Sequence, residues 1–261
     1  MRARIVLLIV LGAVLVFAGS ARADWIPGDG HKMHWPQLPD PNGWDVNATT
    51  VDPIFPRTLA DDWRCSESGP VEDIHFWGSF RDDVFNQPMM LFRIGIWSDV
   101  PTNPDMDPPW SHPGDLLWEF ETDDVGIVPV DPPSMQGWLD PFTGEAIEQN
   151  HQNYFQYNVV DIPRPFIQER GKIYWLSIEA QNVAAPANVQ WGWKTSRSQH
   201  FLDDATFQES GPGIVPFWHE LIDPITGESL DLAFVITPEP GSLIMLLVGL
   251  ALMRGWWSKR S

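Results

Sequence analysis

Apolar and polar residues alternate in short bursts through the middle of this chain, and Asp-, Pro- and Gly-rich stretches separate the bursts. Segment 74–80 places Ile74, Phe76 and Phe80 on one face. Segment 90–97 aligns Phe92, Ile94 and Ile96, with Leu91, Arg93 and Trp97 opposite. In 154–160, Phe155, Tyr157 and Val159 share a face, and in 173–180 Tyr174, Leu176 and Ile178 do. Segment 189–195 aligns Val189, Trp191, Trp193 and Thr195; segment 230–236 aligns Leu230, Leu232, Phe234 and Ile236. A period of two is that of a strand with one face buried. With 59–65, 116–121 and 125–130 the pattern predicts about nine strands. No stretch of the body keeps a 3.6-residue period over three turns. The expectation is an all-β fold in one domain, 57–237. Its long loops at 98–114, 131–150 and 180–188 favour a jelly-roll-like β-sandwich over a tight meander.

The flanks follow other patterns. Residues 24–56 are rich in Pro, Gly, Asn and Asp and carry Trp25, Trp35 and Trp44. They read as an extended segment packed on the domain, with the tryptophans as pegs. At the N-terminus, Arg2 and Arg4 precede an apolar run, and Ala21-Arg22-Ala23 is an A-x-A site. That predicts a signal peptide over 1–23, cut by signal peptidase before Asp24. At the other end, Pro238-Glu239-Pro240 is stiff and extended, because each proline fixes φ and restricts the residue before it. An apolar run, 243–253, follows, and then a basic end with Arg254, Lys259 and Arg260 around Trp256 and Trp257. Residues 241–257 are just long enough for a hydrophobic helix to span a bilayer.

This tail resembles the PEP-CTERM sorting signal of exported bacterial proteins, in the motif Pro238, Glu239, Pro240, the apolar run 243–253, and Arg254, Lys259 and Arg260. The basic end departs from the pattern in being diluted by Gly255 and the two tryptophans. The resemblance implies transient membrane contact through 241–257, processing by an exosortase-type enzyme near the motif, and release to the cell surface or extracellular matrix. Carriers of the signal typically belong to exopolysaccharide-producing bacteria. An anchor that is never cut is the alternative. Stretches of the body, 59–63 and 191–195, look similar to uncharacterised domains of other proteins with this tail, which implies no activity.

Charge narrows the partners. The chain carries a formal net charge of −19, and its two ends hold six of the 16 basic residues and one of the 35 acidic ones. The body 24–237 therefore has 10 basic and 34 acidic residues. Such a surface repels nucleic acid and anionic lipid. The one cysteine, Cys65, leaves an exported chain without an internal disulfide, so the fold must rest on burial; Cys65 itself is expected to be buried, with an intermolecular partner as the alternative.

No nucleophile elbow, zinc-protease motif or phosphate loop is present, and no enzyme is predicted. His31 and His34 stand three apart without further ligands nearby. Acid doublets recur, and Asp61, Asp62, Asp203 and Asp204 are candidate ligands for a structural calcium, with solvated turns as the plainer reading; no other cofactor is expected. Fifteen tryptophans against three tyrosines suggest flat faces for a sugar ring, with Trp97, Trp175, Trp191 and Trp193 as candidates for binding a neutral polysaccharide. Indoles on strands are equally what a sandwich buries. Asp140–Glu145 and Asp223–Glu228 share D-P-x-T-G-E, which suits a type I turn with a glycine bulge; paired ligand loops are the sharper reading. The functional expectation is an exported, surface-sorted, non-enzymatic protein with a structural or adhesive role. A carbohydrate-binding module is the alternative, and a secreted glycan hydrolase of unrecognised type the next.

Overall fold

The computed structural model describes residues 24–85, 90–182, 189–197 and 200–237. The signal-peptide site Ala21 and Ala23, the motif Pro238, Glu239 and Pro240, the tail helix, and Arg254, Lys259 and Arg260 lie outside the described residues. Among the described residues, no helix is long and apolar enough to cross a membrane.

The fold is all-β, with one short 3-10 turn at Arg81–Asp83. One large sheet contains β1 (Trp44–Asn47), β5 (Asp73–Phe80), β8 (Gly126–Pro129), β9 (Gln136–Asp140), β10 (Glu145–His151), β11 (Tyr154–Val159), β14 (Trp191–Lys194) and β17 (Phe234–Thr237). Its order is β10-β9-β1-β14-β5-β11-β8, with β17 pairing the first half of β5 beside β14. A second large sheet contains β2 (Thr49–Thr50), β3 (Arg57–Arg64), β6 (Met90–Val100), β7 (His112–Thr122), β13 (Ile173–Asn182), β15 (Thr206–Glu209) and β16 (His219–Glu220). Its order is β16-β15-β3-β13-β6-β7, with β2 joining β13. A small ribbon pairs β4 (Gly69–Val71) with β12 (Phe166–Gln168).

The strands with clear alternation form where expected. Leu59 and Trp63 of β3, Phe92, Ile94 and Ile96 of β6, and Tyr174, Leu176 and Ile178 of β13 join one core with Ile74 and Phe76 of β5 and Tyr157 and Val159 of β11. Side chains of the two large sheets meet there. Phe92 lies 5.4 Å from Phe76, 5.4 Å from Tyr157 and 5.1 Å from Trp191, each in an edge-on contact. Such pairs add to simple area burial. Cys65 is buried, as expected, and its Sγ donates to the Glu67 carbonyl at 3.1 Å.

Two expectations are corrected. Residues 24–56 are not only laid over the domain: Trp44–Asn47 is an interior strand, parallel to β9 and antiparallel to β14, and Thr49–Thr50 enters the other sheet. Ala48 joins the sheets at this crossing, since its N–H donates to Trp191 O and its carbonyl accepts from Ala180 N. Residues 131–150, expected as loop, hold β9 and most of β10. β9 buries Gln136 and Asp140, and β10 is exposed or half-buried except at His151, so neither displays an apolar face to detect.

Candidate functional site

Three of the four candidate sugar-stacking tryptophans are fully buried. Trp191 and Trp193 lie on the core face of β14, where Trp193 Nε1 donates to Ala233 O at 2.9 Å. Trp175 faces the other way from the core, as predicted, and its neighbour across the register is Trp97. That face is nevertheless covered: Trp218 packs on Trp97, with ring centroids 5.8 Å apart, and forms a cluster with Trp175 and Ala60. Trp175 Nε1 donates to Asp99 Oδ1 and Trp97 Nε1 to Ser177 Oγ. Trp175, Trp191 and Trp193 therefore present no open surface for a sugar ring, and Trp97 is half-buried under Trp218. Around Trp97 and Trp175 the outward face of this sheet is roofed by later chain, which period-two reasoning cannot see.

The acid doublet on β3 is also split. Consecutive strand residues face opposite sides. Asp61 points into the core with Leu59 and Trp63, where its carboxylate accepts from Gln37 Nε2 and the Leu232 N–H. Asp62 points to the roofed face, and among the described residues neither of its buried oxygens accepts a hydrogen bond. Burial, then the charge of Asp231, raises both carboxyls well above the usual range. Asp203 accepts from Thr102 Oγ1, and burial raises Asp204. Among the described residues, no group of three or more Asp, Glu, His or Cys side chains is arranged to hold a metal ion. His34, of the histidine pair, accepts the Arg64 N–H on Nδ1 and stacks on Phe201 at 3.7 Å; burial, then Arg64, lowers it to about 3.

A buried polar cluster lies on the outward face of the first sheet. Asp45 Oδ2 is 3.0 Å from Lys194 Nζ and 2.9 Å from His151 Nε2, and Ser79 Oγ is 2.7 Å from the same nitrogen. Burial raises Asp45, but Lys194 and His151 outweigh it and hold the carboxyl below its ordinary value. A serine–histidine–aspartate relay needs the two oxygens on opposite ring nitrogens. Here both meet Nε2, so the cluster cross-links β1, β5, β14 and the end of β10 instead.

The repeated D-P-x-T-G-E turns leave the more promising geometry. They fold alike. Asp140 Oδ1 accepts from Phe142 N and Thr143 N, and Asp223 Oδ1 from Ile225 N and Thr226 N. In each, the glycine N–H returns to the aspartate carbonyl at 2.9 Å. Gly144 and Gly227 take φ of +75° and +73°, which glycine adopts without strain. The second oxygens both reach β1: Asp140 Oδ2 accepts from Asn47 Nδ2, and Asp223 Oδ2 from Trp44 Nε1, each at 2.9 Å. Asp223 is held below its ordinary value despite burial, by the hydrogen bonds it accepts.

Each turn walls a surface cavity. The first, about 340 Å³, is rich in aromatic side chains, with Phe142, Phe207, Phe217, Val215, His219 and the acidic Glu209 on its walls. Phe207 stacks on His219 at 5.1 Å, and the Arg57 guanidinium covers Phe142 at 4.8 Å. The second, about 450 Å³, is mixed: Trp44, Met135 and Ile225 give carbon surface, and Asn42, Gln136, Glu148, Gln149 and Thr226 give polar groups. Both volumes fall within the range of small-molecule sites, roughly 300–1,000 Å³. The echo of the two turns was legible in the sequence, whereas Trp44 was expected as a peg on an extended segment and not as part of an interior strand. Gln136, Glu148 and Gln149 gave no signal, because a strand pairing brings them to Trp44.

A model of the family described as a domain of unknown function (DUF7901) matches residues 33–237. No curated protein and no solved structure matches the chain.

Proposed function

The chain belongs to the DUF7901 family, and we propose that it is an exported, surface-sorted, non-enzymatic β-sandwich protein with an adhesive or structural role in the cell envelope or extracellular matrix. The two large sheets are the halves of the sandwich; the contacts of Phe92 with Phe76, Tyr157 and Trp191 support that reading. The N-terminal A-x-A site and the Pro238-Glu239-Pro240 tail support export and sorting by an exosortase-type enzyme.

One observation carries the adhesive role: two turns of the same build, both pinned to β1 by an aspartate, each wall an open cavity. Strong net negative charge excludes polyanions as partners and keeps the released body soluble.

The test has two parts. Intact mass of protein recovered from its host should begin at Asp24 and end within residues 238–241, and a strain lacking the gene should attach less to its matrix. Recovery of only full-tail protein in the membrane fraction would remove the sorting claim, and undiminished attachment would remove the adhesive one.

A further inference from the structure

We propose that the cavity beside the 223–228 turn binds a short neutral saccharide, an inference that rests on the adhesive reading and names its ligand. The polar groups there are set for hydroxyls. Gln136 is 1% exposed, and its Nε2 donates to Ser134 O at 3.0 Å and Gln152 O at 3.1 Å, which fixes the amide's orientation. Its Oε1 is buried and accepts nothing among the described residues. A buried acceptor without a donor is unfavourable, and a ligand O–H supplies the missing donor. That oxygen has no exposed surface, so a saccharide hydroxyl reaches it only when the cavity wall shifts, whereas the Asn42 and Gln149 amides are exposed and open to a hydroxyl.

The backbone of β10 is shaped for the same end. Its register with β9 shifts between Ile147 and His151, and Gln149 takes φ +54° within that bulge. Bulges re-aim side chains, and a non-glycine residue in the left-handed region is held there at a cost. The bulge is what brings Glu148 and Gln149 to the cavity wall.

The apolar surfaces suit the C–H face of a sugar ring. Trp44, its indole N–H spent on Asp223, is 7% exposed and adds only a small carbon surface. Its ring packs on the backbone of Gly137, where a Cβ would come within 2.4 Å of the indole. Met135 and Ile225 add exposed apolar walls, at 40% and 61% exposure.

The charge of the walls disfavours an anionic ligand. No lysine or arginine is on the walls, and the acids present are Glu148 and Asp223. An anionic ligand would meet repulsion without a counter-charge. Asp223 already accepts from Ile225 N, Thr226 N and Trp44 Nε1, so it is not a free anchor for a cation.

The experiment is titration calorimetry on protein recovered from its host, with cellobiose, maltose and lactose at millimolar concentration, and with glucuronate and glucosamine as charged comparators. Variants are Gln136→Met, Met135→Ser with Ile225→Ser on the exposed walls, and Val215→Ser at the aromatic cavity. The inference expects at least one neutral disaccharide to bind, either cavity variant to weaken it about tenfold or more, and Val215→Ser to leave it unchanged. If Gln136→Met fails to fold, the exposed double variant decides. Three results would overturn the inference: no neutral sugar binding, a charged comparator binding better, or binding lost in Val215→Ser and kept in the other variants. In each case the attachment assay separately decides whether the adhesive reading stands.

Discussion

Replacing Asp231 with asparagine isolates one charge in the most acidic part of the interior. Asp231 is buried; its Oδ2 accepts the Phe201 N–H at 3.0 Å, and its Oδ1 lies 3.3 Å from His200 Nδ1. Burial pushes its carboxyl up to about 6 from an ordinary 3.8, against the opposing pull of His200 and the Phe201 N–H. The native state therefore keeps a proton that the unfolded chain has already released. Stability from this group is fully present below the unfolded value and is lost as the pH rises through about 6. At about 1.36 kcal/mol for each pH unit between the two values, the native state loses roughly 3 kcal/mol across that window. The asparagine amide would keep an oxygen for the Phe201 N–H and remove the charge. Because the charge of Asp231 also raises Asp61 and Asp62, the variant relieves them too. Urea unfolding followed by tryptophan fluorescence, at several pH values from about 3.5 to about 8, should give nearly equal stabilities at the acid end. Asp231→Asn should be the more stable by about 3 kcal/mol near the alkaline end. Other carboxylates shape both curves, so the difference between them is the measurement. Parallel curves would refute the reasoning, as would a variant less stable than the wild type at the alkaline end.

Other variants probe separate parts of the structure. Trp175→Ala should cost about 3–5 kcal/mol in urea unfolding, because the indole is fully buried in the cluster with Trp97 and Trp218 and holds Asp99; an unchanged stability would return it to the surface. Gly137→Ala should destabilise by about 1–3 kcal/mol, since its Cβ would press on the Trp44 ring, and should perturb the Trp44–Asp223 bond in the crystal structure of the variant. Cys65→Ser should melt as a folded β protein within about 2 kcal/mol of wild type, because a hydroxyl can replace the thiol's donation to Glu67 O; loss of far-ultraviolet strand signal would contradict a fold held by burial alone.

The alternation of residues sufficed for β3, β5, β6, β11 and β13, because each buries one apolar face and the code for that is local: Ile74 and Phe76, or Leu176 and Ile178, two apart. It also placed Trp97 and Trp175 correctly on one face and away from the core. The D-P-x-T-G-E turns were likewise local, since aspartate, proline and glycine set their geometry without outside help. What covers a face is not local. Trp218 arrives on Trp97 from a distant part of the chain, and it turns an expected sugar-binding surface into a second, smaller core. The strands β1, β9 and β10 escaped for a related reason. Their buried residues include Asp45, Asn47, Gln136, Asp140 and His151, polar groups that look solvent-facing in a sequence. They tolerate burial only because the tertiary structure gives them Lys194, Ser79 and one another. Gln136 Oε1, left without such a partner beside Trp44, is visible only once the chain has folded, because a missing hydrogen bond is a property of the neighbours and not of the residue.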